Sequence, residues 1–583
     1  MITRNDSAGK CLRASLGVCF LLSGTILPAA PAADWSQWGQ NAQHNGASPV
    51  LGQPLSAILA DIEYDPFVEQ MKAESGGTLL AHYAVALVDA DGAVYMVFKS
   101  GTYTGFGNFD SQTWSVKKLV WSGGTLQVLW TFQSDWKPEP IALTNWESVF
   151  LPVLSGESVY VPGSGGSVYR VSKTTGTGVR INPFASVDPS VYVAGGLAAA
   201  PDGSVLYDVV GLATPDPRAG VLGAWLVRIA ANGAVSTASF AALVPGAPGA
   251  NDQCVGTFSQ DELPWPPSPT AVPPSGPCGL QRPGINVVPA IAPDGTIYTL
   301  SRAHANDRYS YLVAVHPDLT PAWSASLRGI LNDGCGVLLE NDGSTIGCRS
   351  NAPTGVDPAT NDRPAGRVRD QGTSSPVVLP DGSVLIGAST SYNFSRGHLF
   401  KFSSSGDALA TYDFGWDITP AVFAHDGTYS ILLKDNHYFD SDGDAYYDVS
   451  SLDANLAAEW SFRSTNTESC QRQPGGAIVC VDDHPEGFEW CVNQPAVDAA
   501  GTVYLNSEDG NLFAFDRAGQ VVGHIFLDTA LGAAYTPVSL GGDGHVYAQN
   551  NGHLFVVGFR ASVRETPDPL PDRPHSPRVV DRP

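Results

Sequence analysis

This chain lacks most of what would mark it as a membrane protein or as a known kind of enzyme. Past the N-terminal segment no run of about 20 apolar residues occurs, so no membrane span is expected. No stretch sustains a 3.6-residue apolar period for more than a few turns, which argues against long helices. Basic residues are scarce, 32 against 57 acidic. The formal charge of −25 speaks against nucleic acid and anionic membrane surfaces, because both demand a basic footprint. There is no G-x-S-x-G elbow and no H-E-x-x-H zinc helix. There is also no C-x-x-C, no C-x-x-C-H haem site and no pair of adjacent cysteines.

Glycine (62) and proline (44) are plentiful and evenly spread, as many short strands joined by turns require. One phrase recurs. Its clearest copy is Pro495-Ala-Val-Asp-Ala-Ala-Gly-Thr-Val-Tyr504, followed by Ser507-Glu-Asp-Gly510 and Asn511-Leu-Phe-Ala-Phe515. Apolar alternation buries one face of each strand and glycine supplies the positive φ of the turn, so the phrase reads as a β-hairpin. Further copies begin at Pro289, Pro376, Pro420 and Pro537, and weaker ones at Leu87, Leu154 and Ala198. Eight copies at intervals of roughly 40 to 90 residues point to one closed array. The expected fold is all-β: a single propeller of four-stranded blades over residues 33–560, eight blades favoured over seven, with disulfide-closed loop insertions. A lone four-stranded sheet exposes two apolar faces, and radial stacking buries both. Ring closure is expected to join the N-terminal segment, Trp35 onward, to the last strands, His545 to Gly558.

Residues 1–32 read as an export signal. Arg4, Lys10 and Arg13 form a basic region, Ala14 to Leu27 an apolar one, and Ala30-Pro-Ala32 a small-residue cleavage site. Leu16-Gly-Val-Cys19 fits a lipobox poorly. The mature chain, with a charge of about −27 by residue counting, is expected to be periplasmic or secreted and monomeric. The tail from Ala561 to Pro583 is Arg/Pro/Asp-rich with few apolar residues and is expected to be disordered.

In an oxidising compartment the cysteines past the signal read as disulfides. Cys335 and Cys348 flank a hairpin turn at Asn341-Asp-Gly343, Cys254 and Cys278 bracket a Pro-rich insertion, and Cys470 and Cys480 bracket a Pro-Gly-Gly turn. Cys491 is left unpaired or displaces one of the last pair. Zinc is the rival reading, disfavoured by the missing C-x-x-C. The insertions Val244 to Pro283 and Asn351 to Gln371 are of a length that is usually functional or disordered.

Trp35-Ser-Gln-Trp-Gly-Gln-Asn-Ala-Gln-His-Asn-Gly-Ala-Ser48 resembles the opening segment of the pyrroloquinoline-quinone-like (PQQ-like) β-propeller family. The repeated phrase resembles that family's blade strands, and Trp130, Trp323 and Trp460 its blade-closing tryptophans. The resemblance covers most of residues 35–559 and implies architecture more than chemistry. The family includes quinoprotein dehydrogenases, which hold the quinone over calcium in the central channel, often beneath a disulfide of adjacent cysteines. No such cysteines occur here, and the family's Thr-Gly turn appears only as Ser172-Lys-Thr-Thr-Gly176. PQQ is therefore not expected. A glycan hydrolase would need two carboxylates suitably spaced, and Asp482, Asp483, Glu486 and Glu489 supply candidates without fixing a pair. Trp265, Trp416 and Trp490 are candidates for stacking on sugars, with blade-core packing the alternative. His425 and His545 beside turns read as satisfied surface residues. The function expected is an exported, non-catalytic propeller that binds a protein, glycan or envelope component through its face loops. A quinoprotein oxidoreductase is the alternative.

One stretch points to a metal. In Asp440-Ser-Asp-Gly-Asp-Ala-Tyr-Tyr-Asp448 acidic side chains fall at positions 1, 3, 5 and 9, and the Tyr446 carbonyl stands at position 7. Asp440, Asp442, Asp444, Tyr446 and Asp448 would supply the hard oxygens calcium prefers. Ser451 stands where an EF-hand needs a bidentate Glu, so the loop resembles instead the calcium loop of integrin-type (FG-GAP) propeller blades, with a structural role.

Overall fold

The computed structural model describes residues 34–214, 216–259, 268–337, 348–372, 374–390, 392, 396–438, 445–530 and 536–560. The expected signal at 1–32, the tail from Ala561, the Pro-rich stretch around Pro264 and Trp265, the turn at Asn341–Gly343, and Asp440, Asp442 and Asp444 lie outside these residues.

Eight antiparallel sheets of the propeller type follow one another along the chain. Blade 1 comprises Leu87–Val88, Val94–Gly101, Gln112–Ser122 and Thr125–Gln133, and the others repeat that order outward from the axis. Their second strands run Ser158–Pro162, Val205–Leu212, Ile297–Ala303, Val384–Ala388, Thr428–His437, Val503–Asn506 and Val546–Asn550. Middle strands are sandwiched between neighbouring blades, so Val205–Leu212 and Val384–Ala388 are buried at every residue. Outer strands such as Ala408–Tyr412 meet solvent on one side and mix exposed with half-buried positions. The tryptophans of three outer strands close onto the next blade. A Cβ on Gly176, Gly406 or Gly519 would come within 2.6–2.8 Å of the indole of Trp130, Trp323 or Trp460, and each glycine has positive φ. Only glycine meets both demands there.

The ring closes in blade 8, where Ala57–Glu63 pairs with His553–Gly558 as its outer strand. The N-terminal segment and the last strands thus close the ring as expected, with the strand at Ala57–Glu63, while the residues before it take another path. Residues 35–53 circle the axis once and bond to every blade. Trp35 exchanges hydrogen bonds with Val88 of blade 1, and Leu154 of blade 2 donates to Ser36 O. Gln37 pairs through its side chain with Ala199 of blade 3. Ile291, Val378, Val422 and Val497 of blades 4 to 7 donate in turn to the carbonyls of Ala42, Gln43, Asn45 and Gly46 at 2.7–2.9 Å, and Gln53 donates to Gly544 O of blade 8. Each inner strand would otherwise leave its free edge facing the channel, and this segment satisfies those edges. Rounding so tight a circle needs left-handed backbone at Gly39, Gln40, His44 and Gly46.

Candidate functional site

All eight inner strands start on the same face of the ring and run toward the face closed by residues 35–53. The connections between blades, and those between second and third strands, therefore gather on the starting face. The sequence places its long insertions in these connections, so this face carries the candidate site.

On that face the axis is crossed by side chains. His82 leads into blade 1 and Asp417 into blade 6. Their Nε2 and Oδ2 stand 3.8 Å apart, and both side chains are wholly buried. His82 Nδ1 lies 3.2 Å from the Glu147 carbonyl, and its ring is 5.5 Å from that of Trp146. Deeper in the channel, Trp38 Nε1 donates to Thr419 Oγ1 at 3.4 Å and Gln494 Nε2 to the His44 carbonyl at 3.1 Å. Burial holds the His44 imidazole down at about 4, so it is neutral, with Nδ1 2.9 Å from Pro376 O.

Charged groups buried around the axis come in separate clusters. Lys99 of blade 1 bridges Asp65, which follows the closing strand, and Glu147, in the connection into blade 2, at 2.8 and 2.6 Å. Arg282 grips Asp370 through both terminal nitrogens at 2.8 and 2.6 Å, with Arg302 at 3.0 Å, and the two guanidiniums outweigh burial to hold that carboxyl well below its ordinary range. At blades 6 and 7, Glu489, Cys491 and Glu508 bring their ligand atoms within 4.8 Å of one another. The Cys491 thiol donates to Glu508 Oε1 at 2.7 Å. Burial pushes all three groups up in pKa, reinforced at Glu489 and Cys491 by the charge of Glu508.

Of the residues singled out in the sequence, Cys254–Cys278, Cys335–Cys348 and Cys470–Cys480 stand at disulfide distance, and Cys491 is free and buried. Tyr446 and Asp448 lie in the strand Tyr446–Leu452 of blade 6. Tyr446 stacks on His437 with ring centroids 4.4 Å apart, and Asp448 accepts from Arg463 Nε at 3.0 Å. Trp490 is core, fully buried, and donates to Tyr447 O. Trp416 is half-buried, next to Asp417 in the connection into blade 6. His425, at the end of the strand Ala421–His425, and His545 sit beside turns with carboxylate neighbours, Asp426 and Asp543. Asp482, Asp483 and Glu486 are exposed on an insertion, apart from half-buried Glu489. The sequence reading missed the His82–Asp417 contact, because nothing local relates residues so far apart in the chain. The odd cysteine at 491 was its one pointer to the Glu489–Cys491–Glu508 cluster.

That insertion is a hairpin of Glu468–Arg472 and Ile478–Asp482, bound on one side to the connection leading into blade 8. Arg472 N donates to Asp528 O, and Ala530 N to Cys470 O. The bonds Gln473 N to Ala477 O and Asp483 N to Thr467 O set the ladder register. By alternation, Ile478, Cys480 and Asp482 turn their backbone N–H and C=O groups away from the hairpin. Among the described residues nothing pairs with that edge, and Ile478, Val479 and Val481 are 47%, 53% and 59% exposed.

No known protein-family profile matches the sequence, and no curated protein does. Solved structures do. A europium-containing methanol dehydrogenase aligns over 88% of this chain and 89% of its own, at 11% identity and a TM-score of 0.52. The quinohemoprotein alcohol dehydrogenase from Comamonas testosteroni aligns over 95% and 83%, at 12% identity and a TM-score of 0.51. The protein is an eight-bladed β-propeller, similar in fold to these two dehydrogenases. At such identity the likeness is one of fold.

Proposed function

We propose that this chain is an exported, non-catalytic propeller that captures an extended protein segment by strand addition to the hairpin edge at Ile478–Asp482. The observation that carries this reading is that edge. It offers unpaired backbone groups beside three exposed β-branched side chains, without the lysine or proline that usually protects an edge strand. Strand addition draws affinity from main-chain bonds and specificity from alternate side chains. Glu468, Asp482, Asp483 and Glu486 surround the edge, while the Arg472 guanidinium is committed to the carbonyls of Phe526 and Leu527. A segment that alternates apolar residues and carries Lys or Arg toward Asp482–Asp483 is complementary to it.

The quinone reading has little support at the axis. A stacked cofactor needs open space there, whereas His82 and Asp417 meet across it and residues 35–53 fill its far end.

A short synthetic peptide of alternating Val/Ile and polar residues with a terminal Lys pair is the probe. It should protect the Ile478, Cys480 and Asp482 amides from hydrogen exchange. Ile478→Pro removes an outward N–H while sparing the ladder, and should weaken binding at least tenfold. Equal binding by that variant, or by a peptide with acidic ends, would refute strand addition. Dye-linked alcohol oxidation after loading with PQQ and calcium would restore the oxidoreductase.

A further inference from the structure

We propose that Asp333, His398 and Asp413 form a binding site for a divalent transition-metal ion of the zinc class, which fastens the insertion after blade 4 to blade 5. Asp333 lies in the connection leaving the blade 4 outer strand, Pro321–Ser326. His398 opens the third strand of blade 5, His398–Phe402, and Asp413 follows its outer strand, Ala408–Tyr412. One ligand atom from each falls within 4.8 Å of the other two. His398 Nε2 is 3.0 Å from Asp333 Oδ2 and 3.4 Å from Asp413 Oδ1.

A second observation comes from Asp333 itself. The residue is 9% exposed, and both carboxylate oxygens are shielded from solvent without a hydrogen-bond partner. Although Oδ2 is close to the imidazole, the two are not aligned as donor and acceptor. A buried carboxylate left in that state is costly unless a charge compensates it. The nearby cation Arg396 is engaged with Asp413 and His437: its Nη2 holds Asp413 Oδ2 at 2.5 Å and its Nη1 contacts His437 Nδ1 at 2.9 Å. Asp413 Oδ1 stands 3.4 Å from His398 Nε2.

One imidazole nitrogen and two carboxylate oxygens form a donor set suited to zinc, manganese or ferrous iron, with water completing the shell. Calcium would want more oxygens. Cys335, bridged to Cys348, lies two residues beyond Asp333, so ion and disulfide would clamp the same connection. The site is separate from the proposed peptide edge and does not depend on it.

The test is zinc binding by the full chain, freed of metal and titrated calorimetrically, with metal content read by mass spectrometry after dialysis. One equivalent is expected at this site. Asp333→Asn and His398→Gln should each lose it or weaken it at least tenfold, while Cys491→Ser, in the thiol–carboxylate cluster, and Asp442→Ala should keep it. X-ray absorption at the zinc edge of the unaltered protein reads the ligands without relying on a variant's folding. One imidazole with oxygen neighbours is the expected result. Sulfur among the ligands, absence of bound zinc, or full affinity in both Asp333→Asn and His398→Gln would each overturn the site.

Discussion

Gln37 and Ala199 exchange two hydrogen bonds: the Ala199 amide donates to Gln37 Oε1 at 2.7 Å, and Gln37 Nε2 donates to the Ala199 carbonyl at 3.2 Å. A side-chain amide thus stands in for a strand neighbour where the inner strand of blade 3 meets the channel. Gln37→Ala would leave both backbone groups buried and unpaired, at about 1–3 kcal/mol. The urea midpoint should fall accordingly, whereas Gln37→Glu should restore only the bond from the amide. If Gln37→Ala unfolds at the unaltered midpoint, the channel segment contributes no stability there.

The ring was legible in the sequence, and the channel was not. Each Asp-Gly phrase is local, a turn with its two strands, and eight phrases gave eight blades. Trp130, Trp323 and Trp460 marked outer strands because their aromatic rings recur. Residues 35–53 carry no strand pattern: their bonds run from scattered carbonyls to partners hundreds of residues away, and only the closed ring brings those together. The expectation that the N-terminal segment joins the last strands holds, with the closing strand at Ala57–Glu63 against His553–Gly558. The path of residues 35–53 around the channel had no local signal. His82, Asp417 and Asp333 look like ordinary loop residues until the blades are stacked.

Two buried carboxyls set a pH dependence. Burial pushes Glu139 up to about 7, and pushes Asp208 up to about 7 despite the Thr299 hydroxyl donating to it at 2.5 Å. Unfolded, these groups ionise near their ordinary values of about 4. Between that value and pH 7 these two groups hold protons in the folded chain that the unfolded chain has released, so their contribution to stability falls as pH rises through this window. Each group accounts for up to roughly 4 kcal/mol. Buried Glu489, pushed up to about 8, extends the fall. Asp370, held low by Arg282 and Arg302, acts oppositely and only in stronger acid. Urea midpoints at about pH 5 and about pH 8 should differ, and Glu139→Gln should shrink the difference. A slope unchanged in that variant would show that Glu139 titrates normally.

Calcium at Asp440, Asp442, Asp444, Tyr446 and Asp448 is a proposal from spacing. Its described end has Asp448 already paired with Arg463, so Arg463→Gln should strengthen calcium binding if Asp448 is a ligand. At 100 times the dissociation constant, calcium should add about 2.7 kcal/mol. A calcium-selective chelator should lower the melting temperature of the unaltered protein and leave that of Asp442→Ala alone. Melts that coincide with and without the chelator, in protein shown to be calcium-loaded beforehand, would dispose of the loop as a metal site.

Lys99 is the point at which ring closure depends on charge. Its ammonium is buried between Asp65, just past the closing strand, and Glu147, which leads into blade 2. Tyr83 donates to the same Asp65 oxygen at 2.7 Å, and Trp114 Nε1 to the other Glu147 oxygen at 3.3 Å. Lys99→Met keeps most of the side-chain volume but strands two carboxylates out of water, at about 3–5 kcal/mol. The carboxylates, rather than lost packing, should carry that cost. In acid strong enough to protonate carboxylates, the variant should therefore recover much of its deficit relative to the unaltered chain. Lys99→Met combined with Asp65→Asn and Glu147→Gln should be more stable at neutral pH than Lys99→Met alone, although it carries more changes. A triple variant no more stable than the single one would mean that Lys99 matters for its packing against Tyr83 and not for its charge.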